Sequence, residues 1–206
     1  YTKIVYMSNI RNSRIIPIAL VVILSIVAIA ALASLARVVF FSGTSPVATS
    51  SDAGQQSLIS TTADRSVTMT VRGPIVADEN FRSYQIVVTP SKRTLTTYSG
   101  YLDKKLDQIS LANNIPAYEE FVHALDRADL MQGTELKGDN NDVRGLCAIG
   151  SLYEFTTLQT EKPVKSLWTT TCKSIKGSLS ARMVTVKSLF IAQIPNARTQ
   201  ISEIRL

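Results

Sequence analysis

The chain has 206 residues, with 22 Lys and Arg against 16 Asp and Glu, one His and two Cys. The net charge of +6 falls to +2 after residue 41, so the basic composition belongs largely to the N-terminal segment, and nucleic acid is not an expected partner. Because zinc takes about four nitrogen or sulfur ligands and His123 is the single histidine, we expect no metal site. The sequence has no nucleophile-elbow motif and no phosphate-binding glycine loop, so we expect no cofactor and assign no catalytic residue.

An uncharged apolar segment of 22 residues extends from Ile15 to Ala36, preceded by three basic residues and no acid. At about 1.5 Å of rise per residue, such a helix reaches about 33 Å, enough to cross a hydrocarbon core of about 30 Å. Basic residues before a first span favour a cytoplasmic N-terminus. We therefore predict a cytoplasmic tail over residues 1–14, a single-pass anchor in membrane lipid over residues 15–41, and a cell-membrane protein whose remainder is extracytoplasmic.

A cleaved signal peptide is the alternative interpretation of this segment. Ala28-Ile29-Ala30 and Ala31-Leu32-Ala33 place small residues at the spacing that a signal peptidase requires. Apolar residues continue from Val38 to Phe41, where a cleavable signal would turn polar. A retained anchor is therefore the favoured interpretation.

Residues 42–65 are rich in Ser, Thr, Ala and Gly and lack a sustained apolar period. Such a segment buries too little apolar surface to offset the entropy of ordering, which predicts a flexible stalk. The remaining residues, 66–206, have the length of one domain. We therefore predict one extracytoplasmic domain beyond the stalk.

The first half of this domain is predicted to contain a strand, a hairpin and a helix. Apolar residues at 67, 69 and 71 alternate with polar ones, as in a half-buried strand. A hairpin that turns at Pro90-Ser91 follows. The helical segments are a short one on Leu102, Leu106 and Ile109 and a longer one that begins at Asn114-Ile115-Pro116 and buries Tyr118, Phe121, Val122 and Leu125.

The second half repeats this plan, since Tyr84 and Tyr153, like Phe121 and Phe190, are 69 positions apart. Because a hairpin with one helix cannot bury its own apolar face, we predict an α+β domain in which two hairpin–helix units share one antiparallel sheet, with both helices on one side. The predicted elements are a hairpin of Leu152–Leu158 and Val164–Cys172 with Pro163 in its turn, and a helix with Leu179, Met183, Val186, Phe190 and Ile194 on one face.

The two cysteines, Cys147 and Cys172, both follow the predicted anchor. An even number of cysteines in an oxidising compartment predicts a disulfide. Closing a loop of this size would stabilise the domain by about 3 kcal/mol in the chain-entropy model.

The segment that ends in Thr169-Thr170-Thr171-Cys172 resembles the strand end of sortase transpeptidases, which also carry one N-terminal span. The resemblance implies a cysteine transpeptidase with Cys172 as nucleophile and Arg182 as the residue that stabilises the oxyanion. Sortases place their histidine on a loop of a β-barrel, whereas His123 lies within a predicted helix. The sortase-like enzyme is therefore an alternative to the favoured hypothesis.

Positive charge gathers late in the chain, where Glu203 is the single acid after Lys173. Clustered bases raise the local concentration of anions. Such a cluster can face an anionic wall polymer, a phospholipid headgroup or nucleic acid, of which nucleic acid is not expected here. A merely solvated helix face is the alternative. The candidate residues for binding an anionic partner are Lys173, Lys176, Arg182 and Lys187.

Four segments of the outer domain carry a family resemblance. They are Val71-Arg72-Gly73-Pro74-Ile75-Val76-Ala77-Asp78-Glu79, Ala124-Leu125-Asp126-Arg127-Ala128, Arg144-Gly145-Leu146-Cys147 and the stretch from Trp168 to Lys173. Together they resemble uncharacterised single-span envelope proteins of small-genome bacteria, which implies the anchor and the paired cysteines but no known activity. We therefore expect a non-enzymatic domain that binds an envelope protein or an anionic wall polymer, with a structural subunit of a surface assembly as a further alternative.

Overall fold

The computed structural model describes residues 50–206, together with Ile23 and Ser25. The chain divides into two units, Tyr1–Val47 and Ala48–Leu206, and the elements below belong to the second. The predicted tail, the anchor and residues 42–49 of the stalk lie outside the described residues, except that Ile23 and Ser25 are helical. Among the described residues, no helix combines the length and the apolar character that a membrane span requires.

Residues 50–206 form six strands and four α-helices. The strands are β1 (Arg65–Arg72), β2 (Arg82–Val88), β3 (Lys92–Ser99), β4 (Lys104–Ala112), β5 (Leu152–Gln159) and β6 (Lys162–Thr170). The helices are α1 (Ser50–Ile59), α2 (Ile115–Arg127), α3 (Met183–Ala192) and α4 (Ala197–Glu203). All six strands form one antiparallel sheet in the order β4-β3-β2-β1-β5-β6, so the predicted α+β class is confirmed.

Strand β1 is central in the sheet and contributes its apolar face to the core. Val67, Met69 and Val71 are buried, as their alternation predicts. Helices α2 and α3 cover the same face, since the rings of Phe121 on α2 and Phe155 on β5 both contact Phe190 on α3. One apolar core therefore lies between the sheet and the helices.

Helix α2 forms where the sequence predicts it. The side chain of Asn114 accepts a hydrogen bond from the backbone N–H of Ala117 at 2.9 Å, and Pro116 occupies the first turn, where its missing N–H costs nothing. The predicted buried face is confirmed, with Tyr118, Phe121, Val122 and Leu125 in the core.

The predicted short helix on Leu102, Leu106 and Ile109 is wrong, because Lys104–Ala112 forms the edge strand β4. Leu102 lies in the preceding turn with 95 % of its surface exposed. Ile109 and Leu111 pack against the core, so the apolar period here is two rather than three or four. Pairing with β3 satisfies the backbone of this segment and overrides the helical spacing.

The predicted flexible stalk is wrong for residues 50–59, which form α1. Leu58 is buried in the core, and Gln55 Nε2 donates to Asp126 Oδ1 of α2 at 2.9 Å. Arg65 Nη1 donates to Ser57 Oγ at 3.0 Å. A helix that docks through one leucine and several small or polar residues leaves no periodic apolar signal.

The hairpin of β5 and β6 is confirmed, but its turn lies at Thr160 and Glu161, both with positive φ, rather than at Pro163. Pro163 lies within β6, opposite Leu158 at a shift of register. An edge strand tolerates proline there because the missing N–H breaks few ladder hydrogen bonds. The second predicted helix begins at Met183 rather than Leu179, and α4 was not predicted.

Candidate functional site

Cys147 and Cys172 form a disulfide with Cα atoms 5.8 Å apart, so the predicted pairing is confirmed. The bond joins the long connection after α2 to the residues that follow β6. A Cβ at Gly150 would approach Cys147 Sγ to 2.9 Å, so the bridge requires a residue without a side chain there. Since a disulfide sulfur is not a thiolate, the structure offers the sortase-like alternative no nucleophile at Cys172.

The four bases predicted to bind an anionic partner do not share one environment. Lys173, Lys176 and Arg182 are exposed on the segment between β6 and α3. Lys187 is half-buried on α3, where its Nζ donates to the hydroxyl of Tyr153 at 3.1 Å and lies 5.2 Å from the centroid of that ring. Lys187 is therefore held against the sheet by a hydrogen bond and a cation–π contact.

No acidic residue lies near these bases in the sequence. Residues 162–202 include seven Lys and Arg and no Asp or Glu. The ion pairs of the described residues involve Arg65, Arg72 and Arg144, which all lie outside this stretch. The exposed bases of the stretch are Lys162, Lys173, Lys176, Arg182 and Arg198.

A cleft of about 450 Å³, here called the α3–α4 cleft, lies where these two helices meet Tyr84 of β2. Lys187 and Arg198 are its two cations, and none of its lining residues is acidic. Its apolar lining consists of Met183, Val184, Ile191 and Ile201.

Tyr84 is among the residues that line this cleft, and its hydroxyl is buried. Its side chain is 1 % exposed, and its hydroxyl has no hydrogen-bond partner within the described structure. Burial raises the pKa of Tyr84, and the neighbouring Tyr153 raises it further, so this hydroxyl stays protonated at neutral pH. Leaving a buried hydroxyl without a hydrogen-bond partner costs about 1 to 3 kcal/mol of stability, so the unpaired state of Tyr84 needs an explanation.

A second groove, of about 640 Å³, lies beside the disulfide and includes Arg72, Tyr101 and Arg144. Tyr101 stacks on Phe81 with centroids 4.1 Å apart, and its hydroxyl donates to the carbonyl of Val76 at 2.7 Å. The charges of this groove are already paired. Arg72 Nε lies 3.2 Å from Glu154 Oε2, and Arg144 pairs with Asp142 and lowers the pKa of that carboxyl to about 2.

Lys165 on β6 is a buried cation that the sequence analysis did not identify. Its side chain is fully buried beneath Gly54 of α1, and its Nζ donates to the carbonyl of Met131 at 2.7 Å. Burial lowers the pKa of Lys165, and the charge of Glu135 opposes that shift. Alternation along β6 predicts which face residue 165 occupies, but not that α1 covers it.

Neither Tyr84 nor Arg198 was predicted as a site residue from the sequence. The acid-free stretch was the signal for Arg198, since it extends beyond Lys187 into α4. Tyr84 had no such signal, because a tyrosine at a core position of a strand is ordinary.

The fold defines the class of this domain, which is an α+β domain built on one antiparallel sheet. No protein-family model matches the chain, and no curated protein matches it.

Proposed function

We propose that this protein is a single-pass membrane protein whose domain lies outside the cytoplasm and binds an anionic envelope partner without catalysing a reaction. The partner is an anionic wall polymer or an acidic surface of an envelope protein. The observation that carries the proposal is the acid-free stretch 162–202, in which five of seven bases are exposed and make no ion pair with another described residue. The disulfide is consistent with an extracytoplasmic location, where oxidised cysteines persist.

The exposed bases Lys173, Lys176 and Arg182 define the proposed binding surface. They lie close together in sequence, within the connection between β6 and α3. None of them makes an ion pair with another described residue. Uncompensated positive charge attracts a polyanion and raises the rate of encounter. Lys187 does not belong to this surface, because Tyr153 holds it against the sheet.

The test is the retention of the full chain on envelope extract. We expect the triple variant Lys173→Glu, Lys176→Glu and Arg182→Glu to lose retention while its melting temperature stays nearly unchanged, because exposed substitutions act within about 0.5 kcal/mol each. Retention of the unmodified chain should also fall with salt, since charges are screened over about 10 Å at 0.1 M ionic strength.

The matched control reverses three exposed lysines outside the stretch: Lys92, Lys104 and Lys137. This control changes the net charge by the same amount, so it should leave retention largely intact if the position of the charge matters. Equal loss in both variants would indicate nonspecific attraction. Retention that withstands both the triple reversal and salt would show that the bases are a solvated surface.

A further inference from the structure

The α3–α4 cleft combines an unpaired hydroxyl with uncompensated positive charge. The buried hydroxyl of Tyr84 lacks a partner, and Arg198 makes no ion pair with any described residue. Lys187 adds a second positive charge beside them. These groups donate hydrogen bonds, and the lining contains no carboxylate to accept them.

The rest of the cleft is apolar apart from Ser188 and Ser202. Met183, Ile191 and Ile201 line it, together with Val184, which is 70 % exposed on the first turn of α3. The volume of about 450 Å³ lies within the usual range of small-molecule sites, about 300 to 1,000 Å³. A ligand that matches this lining needs an acidic end and an apolar end.

We propose that the α3–α4 cleft binds a small single-chain amphiphile with one acidic headgroup, a phosphate or a carboxylate, whose oxygen accepts a hydrogen bond from Tyr84. The guanidinium of Arg198 pairs with the same headgroup, since its planar fork matches carboxylate and phosphate oxygens. Lys187 contributes positive charge from its position over Tyr153. The chain of the ligand packs on Met183 and Ile191 and covers the exposed Val184.

This site uses none of the three bases on which the proposed polyanion surface rests, so the two proposals fail separately. Charge reversal at Lys173, Lys176 and Arg182 should leave the cleft intact. Loss of the cleft's ligand should in turn leave retention on envelope extract unchanged.

The test uses the full chain in nanodiscs of zwitterionic lipid and titrates hexyl phosphate or hexanoate by calorimetry, with empty nanodiscs as background. We expect both to bind, and Tyr84→Phe to weaken their binding about tenfold or more, because a hydrogen bond to a charged group is lost. The melting temperature of this variant should not fall, since the deleted hydroxyl has no partner in the protein. Arg198→Gln should weaken binding as well.

Two matched variants control for general effects. Tyr118→Phe removes another buried and unpaired hydroxyl, one that does not line the cleft, and Arg205→Gln removes an exposed arginine outside it. Both should bind hexyl phosphate as the unmodified chain does.

Three results would overturn the proposal. Undiminished binding by Tyr84→Phe would remove the tyrosine from the site. Equal binding of hexanol would show that no acidic headgroup is required. Equal binding of inorganic phosphate would show that the cleft takes a simple anion and not an amphiphile.

Discussion

Phe121 packs edge to face against Phe190, with ring centroids 5.3 Å apart and planes at 86°. The two residues are 69 positions apart and come from the helices that follow the two hairpins. Tyr84 and Tyr153 have the same separation and lie opposite Val71 from its two neighbouring strands. Residues at equivalent positions of the two repeats are therefore neighbours at two places in the core.

Phe190→Ala should lower the free energy of unfolding by about 3 to 5 kcal/mol, because it leaves a cavity where the two helices meet the sheet. Denaturant unfolding of the full chain measures the change. Val184→Ala on the same helix is the control, since Val184 is exposed and should change stability by about 0.5 kcal/mol or less. A double-mutant cycle with Phe121→Ala should show a coupling of about 0.5 to 1.5 kcal/mol, and additive losses would contradict a direct contact.

Replacing both cysteines by serine should lower the free energy of unfolding by about 2 to 5 kcal/mol, because the unfolded chain regains the freedom that the loop closure removes. Mass spectrometry of the purified, unreduced protein after alkylation tests the bond itself. Neither Cys147 nor Cys172 should be modified before reduction. Modification of both in the unreduced protein would contradict the pairing.

The buried Lys165 predicts a rise of stability at alkaline pH. Burial lowers the pKa of Lys165 in the folded state. Between that lowered pKa and the unfolded value of about 10.4, the unfolded chain still binds a proton that the folded chain has released, so stability rises with pH. The cost of burying the charge is complete below the folded pKa and disappears as pH approaches the unfolded value. Lys165→Met should therefore flatten the rise in unfolding free energy with pH.

The control for this experiment is Lys162→Met, which changes an exposed lysine of the same strand. It should keep the pH dependence of the unmodified chain. Equal slopes in the two variants would show that Lys165 does not titrate with folding.

Protease added outside intact cells or spheroplasts should remove the domain that follows about residue 42. The expectation rests on the basic residues before Ile15 and the single arginine that closely follows the apolar segment. A cytoplasmic marker that stays intact shows that the membrane is closed. Full protection of the domain under those conditions would contradict the topology.

Local signals were sufficient where one element specifies its own boundaries and face. Asn114 caps α2, and four apolar residues at helical spacing form its buried face. The sequence of this helix therefore specifies both where it begins and which face it buries. Alternation at residues 67–71 likewise predicts a strand, because a strand half-buried in a sheet has a side-chain period of two. The disulfide was predicted from the even number of cysteines and from the predicted oxidising location.

Local signals failed where a neighbour decides the conformation. Residues 104–112 become a strand because the edge of β3 is open to them, although their apolar spacing also suits a helix. Helix α1 is ordered by contacts to Asp126 and to the sheet, and neither is visible in its own composition.

The sequence by itself determined the α+β class, the repeated hairpins and the cysteine pair. Both the apolar periodicity and the even number of cysteines can be read along the chain without knowing which residues are neighbours in space. Only the tertiary structure decided that Lys187 turns against Tyr153 and that Tyr84 meets Arg198, 114 positions away, at one cleft. The packing of α3 and α4 on the sheet creates that meeting. An unpaired hydroxyl, an uncompensated charge and a buried lysine exist only relative to what surrounds them, and the surroundings come from distant parts of the chain.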